Sequence, residues 1–343
     1  MSKKPSSALP PLIRTTLEER RGYHQRFFYV SIAAMSLLFI VLIFALWTLI
    51  EEQIALKLLL AIVWLVLLGV SAYFIFYHSK KTKVLDNSLN NNDFYVVSGT
   101  LKAIQRLGWK RVRYTIDGRD IDGTLAFPGF TAFFNTSVID VITAPGQRIN
   151  LYLLPDGLIA GATYPTLDIA NTCQPVNPTD WRVIVQRHWG KLRWFGLSSL
   201  FFSLLLVGIA WFTEQQIGIG WGSLGFMLVI CNGINLLVLG AQFVKDWPEL
   251  RVLMNKSDPS VQIHVYQGVA AEWYLTGTRY NGKAYGPQEF DGWIRMFGGL
   301  HRIQDNLTPT DRGLLNPLWT PMQVEYLIYK GRMIFLRSAA SHG

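Results

Sequence analysis

The chain has 343 residues, 50% of them hydrophobic and only 16% charged, with 12 Trp and a mean hydropathy of +0.23. Globular domains usually carry about 25% charged residues, so this composition argues against an ordinary water-soluble enzyme. The formal charge is +9, yet residues 84–181 hold seven Lys and Arg against nine Asp, and residues 248–343 hold ten basic against eight acidic residues. The positive excess therefore lies in the N-terminal tail and beside the apolar runs, and it does not mark either polar block as a nucleic-acid binder.

Taken in chain order, residues 1–27 are a basic tail with Lys3, Lys4, Arg14, Arg20, Arg21 and Arg26. Its Ser2–Pro11 stretch contains three prolines and is expected to be disordered. Two apolar runs follow, Phe28–Ile50 and Ile54–Tyr77, and two more lie at Trp194–Thr213 and Ile217–Val244. Each reaches the roughly 20 residues that cross a hydrocarbon core. They predict four transmembrane helices in two hairpins, 28–77 and 191–244. Leu49-Ile50-Glu51-Glu52 offers no small-residue cleavage site, so the first run is expected as an uncleaved anchor. The acidic connections at Glu51-Glu52 and Glu214 contrast with basic flanks elsewhere, which predicts cytoplasmic termini and a multi-pass protein of the bacterial inner membrane.

Between and after the hairpins lie two blocks, 78–190 and 245–343, expected as small cytosolic all-β, barrel-like modules. Asp117-Gly118 between Arg113–Ile116 and Arg119–Ile121 is a hairpin signal, because Asp-Gly suits the positive φ of a tight turn. Asp156-Gly157, Asn281-Gly282 and Lys330-Gly331 read in the same way. The Asn-rich Asp86–Asp93 stretch reads as a linker. The blocks also match one another. Val96-Val97-Ser98-Gly99-Thr100-Leu101 parallels Val265-Tyr266-Gln267-Gly268-Val269-Ala270, and Pro145–Leu153 parallels Thr320–Ile328, each followed by a Gly turn. An internal duplication is expected.

Few residues suggest chemistry. Arg106, Lys110, Arg111 and Arg113 interleave with Trp109 and Tyr114, a pattern suited to a protein partner or to anionic lipid headgroups. Nucleic acid is not expected there, because Asp117, Asp120 and Asp122 lie alongside. Trp273, Tyr274 and Trp293 mark a second aromatic region for partner contact. Asn232 and Asn235 share one face of the fourth run, and Gly218 and Gly222 would allow close helix packing and oligomerisation. Six histidines lack metal-ligand spacing, Cys173 falls in a predicted loop, and Cys231 lies in the fourth run. Neither metal nor cofactor is expected, and Asp in a hairpin turn usually serves the backbone.

The segment from Ile149–Leu153 through Tyr164-Pro165 to Trp181 and Trp189 follows a basic-flanked hairpin. In that layout it resembles the intracellular growth attenuator family, bacterial inner-membrane regulators with small cytosolic β domains. The resemblance implies a regulatory role and carries no functional residue over. Together these observations predict a non-catalytic membrane scaffold or regulator that presents two β modules to a protein partner. The alternatives are a membrane-interface enzyme using Asp117, Asp120 and Asp122, and a small transporter or channel component.

Overall fold

The computed structural model describes residues 9–48, 54–128, 137–182, 261–277, 291–303, 321–329 and 332–340, with scattered positions between 185 and 251. Among the described residues it contains two long helices, α1 (Pro11–Thr48) and α2 (Ile54–Asn90), thirteen strands and further helical residues from Pro178 to Arg182. The chain divides into two compact units. One comprises Met1–Gly22, Lys83–Trp181 and Val252–Gly343, the other Tyr23–Thr82 and Arg182–Arg251.

The first unit is built on β-sheets. Strands β1 (Tyr95–Arg106), β2 (Arg111–Ile116), β3 (Arg119–Leu125), β5 (Arg148–Leu153) and β6 (Leu158–Thr163) close into a barrel in the order β1-β2-β3-β6-β5. The pairing of β3 with β6 is parallel and the other pairings are antiparallel. Alternation sets the inner face of the barrel. Val112, Tyr114 and Ile116 of β2 are buried while Arg111 faces water. Two hairpin signals operate as expected. Asp117 and Gly118 take φ values of 48° and 78° between β2 and β3, and Gly157 takes 78° between β5 and β6. The Asn281-Gly282 and Lys330-Gly331 turns lie outside the described residues.

The remaining strands form two four-stranded sheets. One has the order β11-β10-β9-β4, from Gly299–Ile303, Asp291–Met296, Glu272–Gly277 and Ser137–Thr143. The other has the order β13-β12-β8-β7, from Arg332–Ala340, Pro321–Tyr329, Gln262–Val269 and Asp168–Pro175. The blocks are thus not two self-contained modules. The first lends β4 to one sheet and β7 to the other, through registers such as Ile142↔Trp273 and Cys173↔His264. Hairpin signals are local, whereas these pairings join residues more than 90 positions apart, and no pattern in β4 or β7 names its partner. The matched segments do fall in similar places. Val96–Thr100 lies in β1 beside β5, and Val265–Val269 lies in β8 beside β12.

The start of α1 is an apolar wedge within this unit. Pro11 opens the helix, where its missing N–H costs nothing. Ile13 and Leu17 pack with Leu85, Leu89, Phe94 and Tyr152, while Leu12 packs with Tyr266, Ile294 and Met296. The predicted linker Asp86–Asp93 is largely helix, because Leu85 and Leu89 share one buried face of α2 up to Asn90. Asn92 then takes the left-handed conformation at φ 51° beyond the helix end.

The membrane expectation is overturned. Among the described residues no helix is long and apolar enough to cross a membrane. Four transmembrane helices in two hairpins, and with them a multi-pass inner-membrane placement, therefore do not stand. Sequence windows register apolar runs but not where helices begin and end. Here α1 takes in Glu18, Glu19, Arg20, Arg21 and Arg26, and α2 takes in Lys80, Lys81, Lys83 and Asp86, in the same helices as the apolar residues. Most of the third and fourth runs lie outside the described residues, as do Glu51, Glu52 and Glu214.

Candidate functional site

Two features of the β unit hold the polar side chains that could do chemistry or recognition, one sealed and one open. The sealed one is centred on Glu272 of β9. Its carboxylate accepts hydrogen bonds from Tyr164, from Tyr114 at 2.8 Å and from Tyr274 at 2.5 Å, and Arg295 of β10 donates Nε–H at 2.6 Å. Tyr114 and Tyr274 also meet at 2.6 Å. All five side chains are buried, none more than 1% exposed. They come from β2, the turn after β6, β9 and β10, so one polar cluster ties the barrel to the adjoining sheet. Burial, aided by the neighbouring carboxylate and at Tyr114 partly opposed by Arg295, pushes all three phenols up, which keeps them protonated donors. Burial opposes the charge of Arg295, but Glu272 and the tyrosines outweigh it and push the guanidinium up. A cluster closed to solvent cannot meet a substrate, so its work is positional.

The open feature is the turn from β1 to β2. Leu107 and Gly108 each donate backbone N–H to the Arg111 carbonyl, which closes the turn tightly. At its tip Trp109 is 56% exposed, while its carbonyl accepts the N–H of Val138 at 2.7 Å. Lys110 turns inward. Its ammonium lies 4.9 Å from the centre of the Trp109 ring and 5.6 Å from that of Phe127. Burial, reinforced by Arg20, lowers the Lys110 pKa to about 7. Arg106 and Arg111 are exposed, but Arg113 grips Asp122 through two hydrogen bonds of 2.7 and 3.0 Å. That hydrogen bond, aided by the charges of Arg113 and Arg111, holds the Asp122 carboxyl below its ordinary range.

The three acids considered for catalysis are therefore held by local structure. Asp117 accepts the Thr100 N–H at 3.0 Å, Asp120 accepts the Thr115 hydroxyl at 2.7 Å, and Asp122 holds Arg113. In the second aromatic region, Tyr274 and Trp293 lie in the core and Trp273 is partly buried. Gly218, Gly222, Asn232 and Asn235 lie outside the described residues.

Other juxtapositions gave no signal in the sequence, because their partners are far apart along the chain. His24 and His78 meet through Nδ1 atoms at 2.9 Å inside the other unit, where burial lowers the His78 pKa. Cys173 is in strand β7 and not in a loop, with its Sγ 3.4 Å from His264 Nδ1. The Glu272 network draws on residues 114, 164, 272, 274 and 295. Its only sequence hint is a charged residue inside an apolar strand, at Glu272 and again at Arg295. Among the described residues no group of three or more His, Cys, Asp or Glu could hold a metal ion. Comparison with protein-family models, with curated proteins and with solved structures finds no match.

Proposed function

We propose that this chain is a non-catalytic scaffold or regulator whose work is to bind another protein. The observation that carries the reading is an apolar stripe left open on α2. Ile62, Leu65, Val66, Val70, Tyr73 and Phe76 are all exposed, with Phe76 at 69%. Apart from the adjacent Leu65 and Val66, their spacing is three and four residues, which puts them on one broad helical face. Gly69 falls within the same stripe, and a Cβ there would meet nothing within 4 Å. Exposed contiguous apolar surface of this kind marks an interaction site in proteins of known behaviour. A stripe with that period is suited to another helix.

The distribution of polar side chains supports the same reading. The buried network is sealed, and Asp117, Asp120 and Asp122 serve a turn and an ion pair. Replacing Tyr73 and Phe76 by Ser tests the proposal in the full-length protein purified under mild conditions. The expected result is loss of a co-purifying protein, or of self-association, with the thermal midpoint of the β unit unchanged. Unaltered association in the double variant would overturn it.

A further inference from the structure

We infer that the β1–β2 turn docks a short acidic segment of a partner protein that carries a bulky apolar residue. This rests on the protein-binding reading above and names one surface and one partner chemistry for it. Trp109 is exposed but not loose. Its backbone carbonyl is tied to Val138, and its ring is braced by the Lys110 ammonium at 4.9 Å. An aromatic held in place before binding loses little freedom on contact, which is what makes Trp an effective anchor. Leu107 and Ile139, 41% and 52% exposed, extend the apolar surface beside it.

Charge then selects the partner. Arg113 is neutralised by Asp122, but among the described residues neither Arg106 nor Arg111 is ion-paired. Two exposed guanidiniums, on the strands either side of the turn, present forks suited to carboxylates. Asp140, next to Ile139 in sequence, accepts the N–H of Val141. A nucleic acid fits less well. Its backbone demands a run of cations, and the turn offers two exposed arginines, Arg106 and Arg111.

The test is fluorescence anisotropy on the full-length chain with three labelled probes. One is a short peptide alternating Glu with Leu and Phe, one is its Lys-for-Glu counterpart, and one is an oligothymidylate. The acidic peptide is expected to bind and to weaken as salt rises. Trp109→Ser should weaken it about tenfold or more. Arg106→Glu with Arg111→Glu should remove it, and Lys102→Glu, further back along β1 from the turn, should leave it unchanged. All these positions are exposed, and unchanged circular dichroism and thermal midpoints would confirm that the variants fold. Failure of the acidic peptide to bind, indifference to both sets of variants, or tighter binding of the oligothymidylate would each overturn the inference. The double Ser variant of α2 separates this from the broader reading. Should it abolish association while the acidic peptide fails, the protein-binding reading stands and this partner assignment falls.

Discussion

At the residue scale, burial decides which side chains are available for function and which hold the fold. Glu272 and Arg295 show this most clearly, since each is sealed and each is the other's counter-charge. Removing one partner of such a pair strands a buried charge at a cost of about 3–5 kcal/mol. Arg295→Met should therefore lower stability by about that amount, read by chemical denaturation. Arg295→Met combined with Glu272→Met should recover only part of the loss, because no charge is then stranded but Tyr114, Tyr164 and Tyr274 lose their shared acceptor. Two other groups, the half-buried Asp168 and the buried His301, make opposing pH predictions. Burial raises the Asp168 pKa to about 6 while its carboxylate accepts the N–H of Phe297 at 2.8 Å, and that residue sits at φ 50°. A raised carboxyl takes up a proton on folding, so its contribution falls as pH rises from about 4 to about 6. Burial lowers the His301 pKa to about 4, so its contribution is full above about 6.5 and is lost as pH falls toward 4. The two slopes offset one another in the native chain. Asp168→Asn keeps an acceptor for Phe297 but removes the ionisation, and should expose the His301 slope as a steeper loss of stability below about pH 6. None of these groups was marked in the sequence, because a lone His or Asp reveals its burial only through the fold.

At the element scale, what could be read was local. Asp117-Gly118 and Asp156-Gly157 announced their hairpins, because the required positive φ restricts which residues can occupy the turn. The insertion of α1 was not legible, since Leu12, Ile13 and Leu17 fall in a stretch that composition marks as a basic tail. The seating of Ile13 depends on two glycines far away in sequence. A Cβ on Gly161 would lie 2.2 Å from the Gly298 carbonyl and 2.6 Å from Ile13, and one on Gly298 would lie 2.7 Å from Ile13. Gly161→Ala must push apart α1, β6 and the β10–β11 turn, with a backbone oxygen among the obstacles. It should cost about 2 kcal/mol or more, seen as a lowered thermal midpoint, and Ile13→Ala should not restore it fully because the carbonyl remains.

At the scale of the whole molecule, the β unit is interleaved. Strands β4 and β7 of the first block are bonded into sheets of the second, and Tyr114 and Tyr164 reach Glu272 across the same division. Residues 83–181 and 252–343 should therefore fail to fold when produced singly and should gain cooperative β structure when refolded together with the first helical turns, followed by circular dichroism. The sequence showed strand content and the similarity of the halves, but strand exchange between them leaves no periodic trace. Apolar runs were equally visible, yet their number and length did not fix what the helices do. The stripe on α2 and the anchored Trp109 are both exposed, and the proposed partner binding rests on them. The most direct test is a photo-crosslinking amino acid at Val66 in the full-length chain, irradiated in cells and analysed by mass spectrometry. The account predicts an adduct with a defined protein, or with a second copy of this chain, that disappears when Tyr73 and Phe76 are replaced by Ser. Adducts confined to lipid, or none at all, would contradict it.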